Sequence, residues 1–251
     1  MTNREKYKFD YFTLDNYQNL LELAIANKFR FISFTDDFEE KRKDVLWRHD
    51  VEFSPDIALK MAKMENSLGI KATYFFQLHS EFYNILEKYF SNILLEIKSL
   101  GHFIGLHFDS HYYNIQKEKE LDEYISLDKE YFEKVFNMKL EVFSFHNTNP
   151  FILNCENFTY GGLLNVYSSF FKTKFDYCTD STGYWRYEIL DEVLRNPKVR
   201  HLQVLIHDAM WTEEVLSPRQ RVMKSIQSNA ERIKKQYDQI LTSLGANNID
   251  E

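Results

Sequence analysis

Short apolar runs recur along this chain at regular intervals, separated by longer stretches in which apolar residues return every three or four positions. The runs Phe29–Phe34, Val45–His49, Ala72–Phe76, Phe103–Leu106, Val142–Phe145, Phe175–Cys178 and Leu202–Ile206 have the length and the β-branched or aromatic content of strands. Between them, helical spacing predicts helices over Leu14–Asn27, Pro55–Leu68, Tyr83–Leu100, Lys117–Phe136, Leu163–Phe171, Tyr187–Arg195 and Pro218–Leu244. Ser54 before Pro55 is a start signal, and Gly69 and Gly101 are stop signals. Strand and helix alternating in this way imply parallel strands joined by right-handed crossovers. A closed or nearly closed α/β barrel of seven strands explains the count, with an open doubly wound sheet as the structural alternative. No composition break divides the chain, so one domain is expected over 1–251. Residues 1–44 supply an N-terminal helix, the first strand and a loop, and residues 218–244 a C-terminal helix.

Composition narrows the function classes. A length of 251 residues is ordinary for one barrel, and 44% hydrophobic with 16% aromatic residues supports a large core rather than disorder. The formal net charge is −7 and the basic residues are scattered, which argues against nucleic acid as a partner. Cys155 and Cys178 lack metal-site spacing and read as isolated buried thiols. The first eight residues hold no apolar signal core, and no run reaches the ~18 apolar residues of a membrane span. A cytoplasmic location without a membrane span is the expectation. No glycine-rich phosphate loop follows any strand, which weakens a nucleotide-cofactor reading.

Candidate chemistry lies where these runs end. Asp50-Val51-Glu52, His107 through His111, His146, Asp180 and His207 are carboxylates and imidazoles, the ligands and proton carriers of hydrolytic metal sites. A barrel brings the C-terminal ends of its strands to one mouth. His107 and His111, four apart, can wrap one ion. Asp50 and Glu52 share a face of an extended strand, so one can ligate while the other activates water.

The stretches Trp47–Pro55, Gly69–Phe76, Gly101–His107 with His111, and Leu205–His207 resemble, in order, the motifs of the polysaccharide deacetylase family, the NodB-homology fold of carbohydrate esterase family 4. The resemblance spans roughly residues 45–211. It implies a distorted seven-stranded β/α barrel, a divalent metal held by Glu52, His107 and His111, Asp50 as general base, His207 as general acid with Asp180 orienting it, and Trp185 as a wall of the acyl pocket. Zn is the expected cofactor, with Co, Ni or Mn compatible with the same donors. Arg48, His49 and Arg186 are expected substrate contacts, and His146 is expected to contact substrate or metal.

Two departures stand out. The family's first motif has adjacent aspartates, whereas Val51 separates Asp50 from Glu52, as in a deformylase branch acting on lipid-linked amino-arabinose. The third motif normally carries an arginine, and Phe143–Asn147 has none. The expected activity is removal of an acetyl or formyl group from an amino sugar, nucleotide- or lipid-linked, in surface polysaccharide biosynthesis. A barrel that has lost hydrolysis and binds a sugar, or does other chemistry on a sugar precursor, is the alternative.

Overall fold

The computed structural model describes residues 1–249. Among them, nine strands occur: β1 (Phe29–Ile32), β2 (Lys43–Val51), β3 (Thr73–Phe76), β4 (Phe103–Phe108), β5 (Val142–Phe145), β6 (Thr159–Tyr160), β7 (Leu163–Asn165), β8 (Asp176–Thr179) and β9 (His201–His207). They form one curled sheet in the order β6-β7-β5-β4-β3-β2-β9-β8, with β1 also on β2. Every pairing is parallel except the β6–β7 hairpin. The fold is a distorted (β/α) barrel.

β2 organises it. β9 runs along one edge from Asp44↔His201 to Asp50↔His207. The other edge is shared, β1 taking Lys43–Leu46 and β3 taking Arg48–Val51. Alternation along β2 then sorts its side chains: Trp47 and Val51 join the large core between sheet and helices, while Leu46 joins a smaller apolar cluster with Phe75, Val142 and Phe175. That smaller cluster fills the barrel interior, and polar residues occupy the layer toward the strands' C-terminal ends. Gly105 on β4 shows how full the interior is. A Cβ there would lie 2.5 Å from two Phe75 ring carbons and 3.0 Å from Val142 Cγ2.

All seven expected strands are present. The expected helix over Leu163–Phe171 is corrected to β7 followed by a helix at Ser169–Lys174. Gly161 and Gly162 adopt left-handed φ of 56° and 72°, reversing the chain into the β6–β7 hairpin, where Leu163 and Asn165 are buried. The helices at Pro55–Ser67 and Pro218–Ser243 begin as the sequence predicts, capped by Ser54 and Ser217. The Tyr83–Leu100 helix starts later, at Lys88. No helix among the described residues is long and apolar enough to cross a membrane.

Candidate metal centre and active site

Asp50 and His207 are register partners on adjacent strands, which places their backbones about 5 Å apart. His107 on β4 pairs with Ser144 on β5, and the His146 amide donates to Phe108 O at 2.8 Å. The inward positions of β2, β4, β5 and β9 therefore converge at the mouth.

Glu52, His107 and His146 form one cluster. Glu52 Oε1 lies 3.1 Å from His107 Nε2 and 2.8 Å from His146 Nδ1, and the two ring nitrogens are 3.2 Å apart. One carboxylate oxygen and two imidazole nitrogens suit a divalent ion. Ligand atoms about 2.0–2.1 Å from a tetrahedral ion sit about 3.3 Å from one another, close to the spacing here. The residues fit the group. Burial alone would raise the Glu52 pKa, but the charge of His207 and the bonds from His107 and His146 hold it well below the usual carboxylate range. His146 is lowered by burial and raised more strongly by Glu52, for a net increase.

Asp50, 1% exposed, accepts from Ser144 Oγ at 3.0 Å and lies 3.6 Å from Arg48 Nη2. His107 Nδ1 is 3.8 Å away. Asp50 Oδ1 has no hydrogen-bond partner. Arg48 is fully buried, donates to Tyr167 Oη at 2.9 Å and lies over the Tyr167 ring. Burial opposes its charge, yet Asp50 beside it moves its pKa above the ordinary value.

The Asp180–His207 pair flanks this cluster. His207 Nδ1 donates to Asp180 Oδ1 at 2.6 Å, its amide lies 3.0 and 3.1 Å from the two carboxylate oxygens, and Trp211 Nε1 donates to Oδ2 at 2.8 Å. Burial lowers the His207 pKa, but Asp180 and Glu52 together push it up to about 10. The imidazolium is the stable form at neutral pH. A cavity of about 310 Å³ opens over these groups, its lining including Asp50, Glu52, Tyr167, Arg186 and His207.

The other expected residues divide. Arg186 is exposed on the cavity rim. His111, expected as a ligand, lies outside the three-residue cluster: its Nε2 is 2.9 Å from Asn147 O. His146 is in the cluster instead, because it directly follows β5, the strand next to β4, whereas the chain turns away after Phe108. Asp109 shapes that turn by accepting from the His111 amide at 2.9 Å. His49, expected to contact substrate, is corrected to a core residue. Alternation puts it on the outer face of β2, fully buried, donating to Glu65 at 2.6 Å and stacked on Tyr74. Arg48 faces inward but at 0% exposure supports Asp50 rather than meeting solvent. Trp185 packs against Phe12 and Trp211, behind the residues that line the cavity.

Ser144, Trp211 and Tyr167 were not legible as site residues. Ser144 carried one signal, a small polar residue at an inward position of an aromatic strand. Trp211, four residues past His207, meets Asp180 only through the pairing of β8 with β9, and Tyr167 meets Arg48 from the segment after β7.

No protein-family model matches this sequence, and no curated protein matches it either. Among solved structures, the chain is similar to a family 4 carbohydrate esterase from Bacillus anthracis, with 18% identity over 86% of each chain and a TM-score of 0.46. It is also similar to a mutant of the peptidoglycan deacetylase PdaC from Bacillus subtilis, with 15% identity over 82% of this chain and 98% of that one and a TM-score of 0.46. A family 4 pseudoenzyme from Bacillus anthracis matches with 13% identity over 79% of this chain and 63% of its own, at a TM-score of 0.44.

Proposed function

We propose that this protein is a metal-dependent amide hydrolase that removes an acetyl or formyl group from an amino sugar used in surface polysaccharide biosynthesis. One observation carries the reading: Glu52, which belongs to a Glu52–His107–His146 donor set, the Asp50 carboxylate and an Asp180-bound His207 line a single cavity. Glu52, His107 and His146 would hold a divalent ion, which when bound would supply Lewis acidity for the acyl carbonyl and for water, whose pKa such an ion lowers from 15.7 toward ~7. Zn is the default, with Co, Ni or Mn admitted by the same donors.

Asp50 takes the proton from the attacking water, its carboxylate fixed by Ser144 and Arg48. His207 Nδ1 is occupied by Asp180, so Nε2 is left to deliver a proton to the departing amine. Asp180 sets the ring's tautomer and stabilises its cation. The cavity, about 310 Å³, is on the scale of a small-molecule site. With Arg186 on its rim it suits one sugar residue bearing an anionic group, such as a nucleotide- or lipid-linked precursor.

The alternative, a sugar-binding barrel without hydrolysis, is favoured by the burial of Asp50, whose Oδ2 is already engaged by Ser144. A mass-spectrometric screen of N-acetyl and N-formyl amino sugars, free and nucleotide-linked, with added divalent metal separates the two. Release of acetate or formate that disappears in His107→Ala supports the hydrolase. Metal-loaded protein that binds these sugars and releases no acid supports the alternative.

A further inference from the structure

The residue after His207 is a fully buried carboxylate that takes no part in the steps above. Asp208 Oδ1 accepts from the Glu52 amide at 3.1 Å and the Phe53 amide at 3.4 Å, and Oδ2 accepts from the Ser54 amide. Those three amides lead into the helix at Pro55–Ser67, where backbone donors have no intrahelical acceptor and a negative charge is favoured. From the opposite side, Ser80 Oγ donates to Glu52 O at 3.2 Å and Tyr83 Oη to Val51 O at 2.7 Å. Both backbone groups of Glu52 are thus held by side chains from other parts of the fold.

Glu52 needs such support because it lies just past the end of β2, beyond the last ladder pairing at Val51↔Phe76. Without support, its loop would be free to shift while the two histidines stayed on β4 and β5. A ligand set is only as tight as its least fixed member.

We propose that Asp208 is a positioning residue for the metal centre, holding the Glu52 backbone so that its carboxylate meets His107 and His146. The proposal rests on the metal reading above. Because Asp208 follows His207 on one turn, a single two-residue unit presents the proton donor to the cavity and anchors the carboxylate ligand beneath it.

The test is Zn²⁺ affinity, measured by competition with a chromophoric chelator, alongside stability by chemical denaturation. Asp208→Asn keeps the volume but offers one acceptor oxygen to three amides. It is expected to bind Zn²⁺ about 10–100-fold more weakly, the range for loss of a group that orients a ligand. Ile97→Ala, a truncation in the buried face of the Lys88–Ser99 helix, controls for lost stability and is expected to stay within about threefold of wild type at comparable destabilisation. Ser80→Ala, which frees the Glu52 carbonyl, is expected to give a smaller loss of the same kind and carries the test if Asp208→Asn does not fold. Asp208→Asn binding as wild type does, or Ile97→Ala losing as much affinity as Asp208→Asn, overturns the Asp208 role alone. Wild-type protein that binds Zn²⁺ no better than His107→Ala overturns the metal reading and this role together.

Discussion

Asp180→Asn is the most informative single change, because it removes a charge from the His207 ring while keeping its shape. His207 stands at about 10 against an ordinary 6.5, a preference for the cation on the order of 5 kcal/mol at 1.36 kcal/mol per unit. Burial works against that preference, and Asp180 is the largest favourable contributor, with Glu52 second. A bound ion would engage the Glu52 charge and leave Asp180 to sustain the imidazolium. Losing an opposite charge at this range lowers a pKa by roughly 1–3 units. The variant's asparagine can still accept from His207 Nδ1, but its amide nitrogen cannot also accept from Trp211 Nε1, as Asp180 Oδ2 does at 2.8 Å. Linkage gives the sign for stability. The folded pKa exceeds the unfolded one, so the pair's contribution is complete below about 6.5 and is lost as pH rises through about 10. The same proton serves catalysis, so the alkaline limb of the pH–rate profile should move to lower pH in the variant, with turnover down about 10²–10⁴-fold. NMR titration of the His207 ring should show a matching drop. An unchanged ring titration, or an alkaline limb at the same pH in both proteins, would refute the assignment of His207 as the Asp180-supported acid.

Four further outcomes follow from the site and the interior. His146→Ala should weaken Zn²⁺ binding at least ~100-fold and His111→Ala less than tenfold, by chelator competition; the reverse order would restore His111 as the ligand. In wild type, that affinity should fall on acidification, because the His146 pKa is raised and protons compete with the ion for its ring. Asp50→Asn should reduce hydrolysis at least ~100-fold with metal content unchanged, and undiminished turnover would remove Asp50 from the mechanism. Gly105→Ala should cost about 1–3 kcal/mol by denaturant unfolding, because its methyl meets the Phe75 ring.

The local periodicities were enough to read the alternating elements. Seven strands followed from runs such as Val45–His49 and Leu202–Ile206, whose length and apolar content reflect burial between a filled interior and covering helices. The ends of those strands pointed to Asp50, Glu52, His107 and His207, since a parallel barrel gathers C-terminal ends whatever their separation in sequence. The β6–β7 hairpin was missed because Leu163 and Leu164 fit a helix as well as a strand, and only pairing with β5 decides between them. Strand parity could have been applied to His49, but the buried Glu65 that accepts its hydrogen bond lies on a helix, a partner that only folding supplies. The exchange of His111 for His146 is of the same kind. Spacing of four along one segment suggested a shared ion, whereas the sheet places His146 beside His107 across two strands and leaves His111 on a turn. Asp208 and Trp211 could not be found in advance, because each acts on residues about 30 to 155 positions away, through contacts that exist only once β9 lies beside β2 for Asp208 and beside β8 for Trp211.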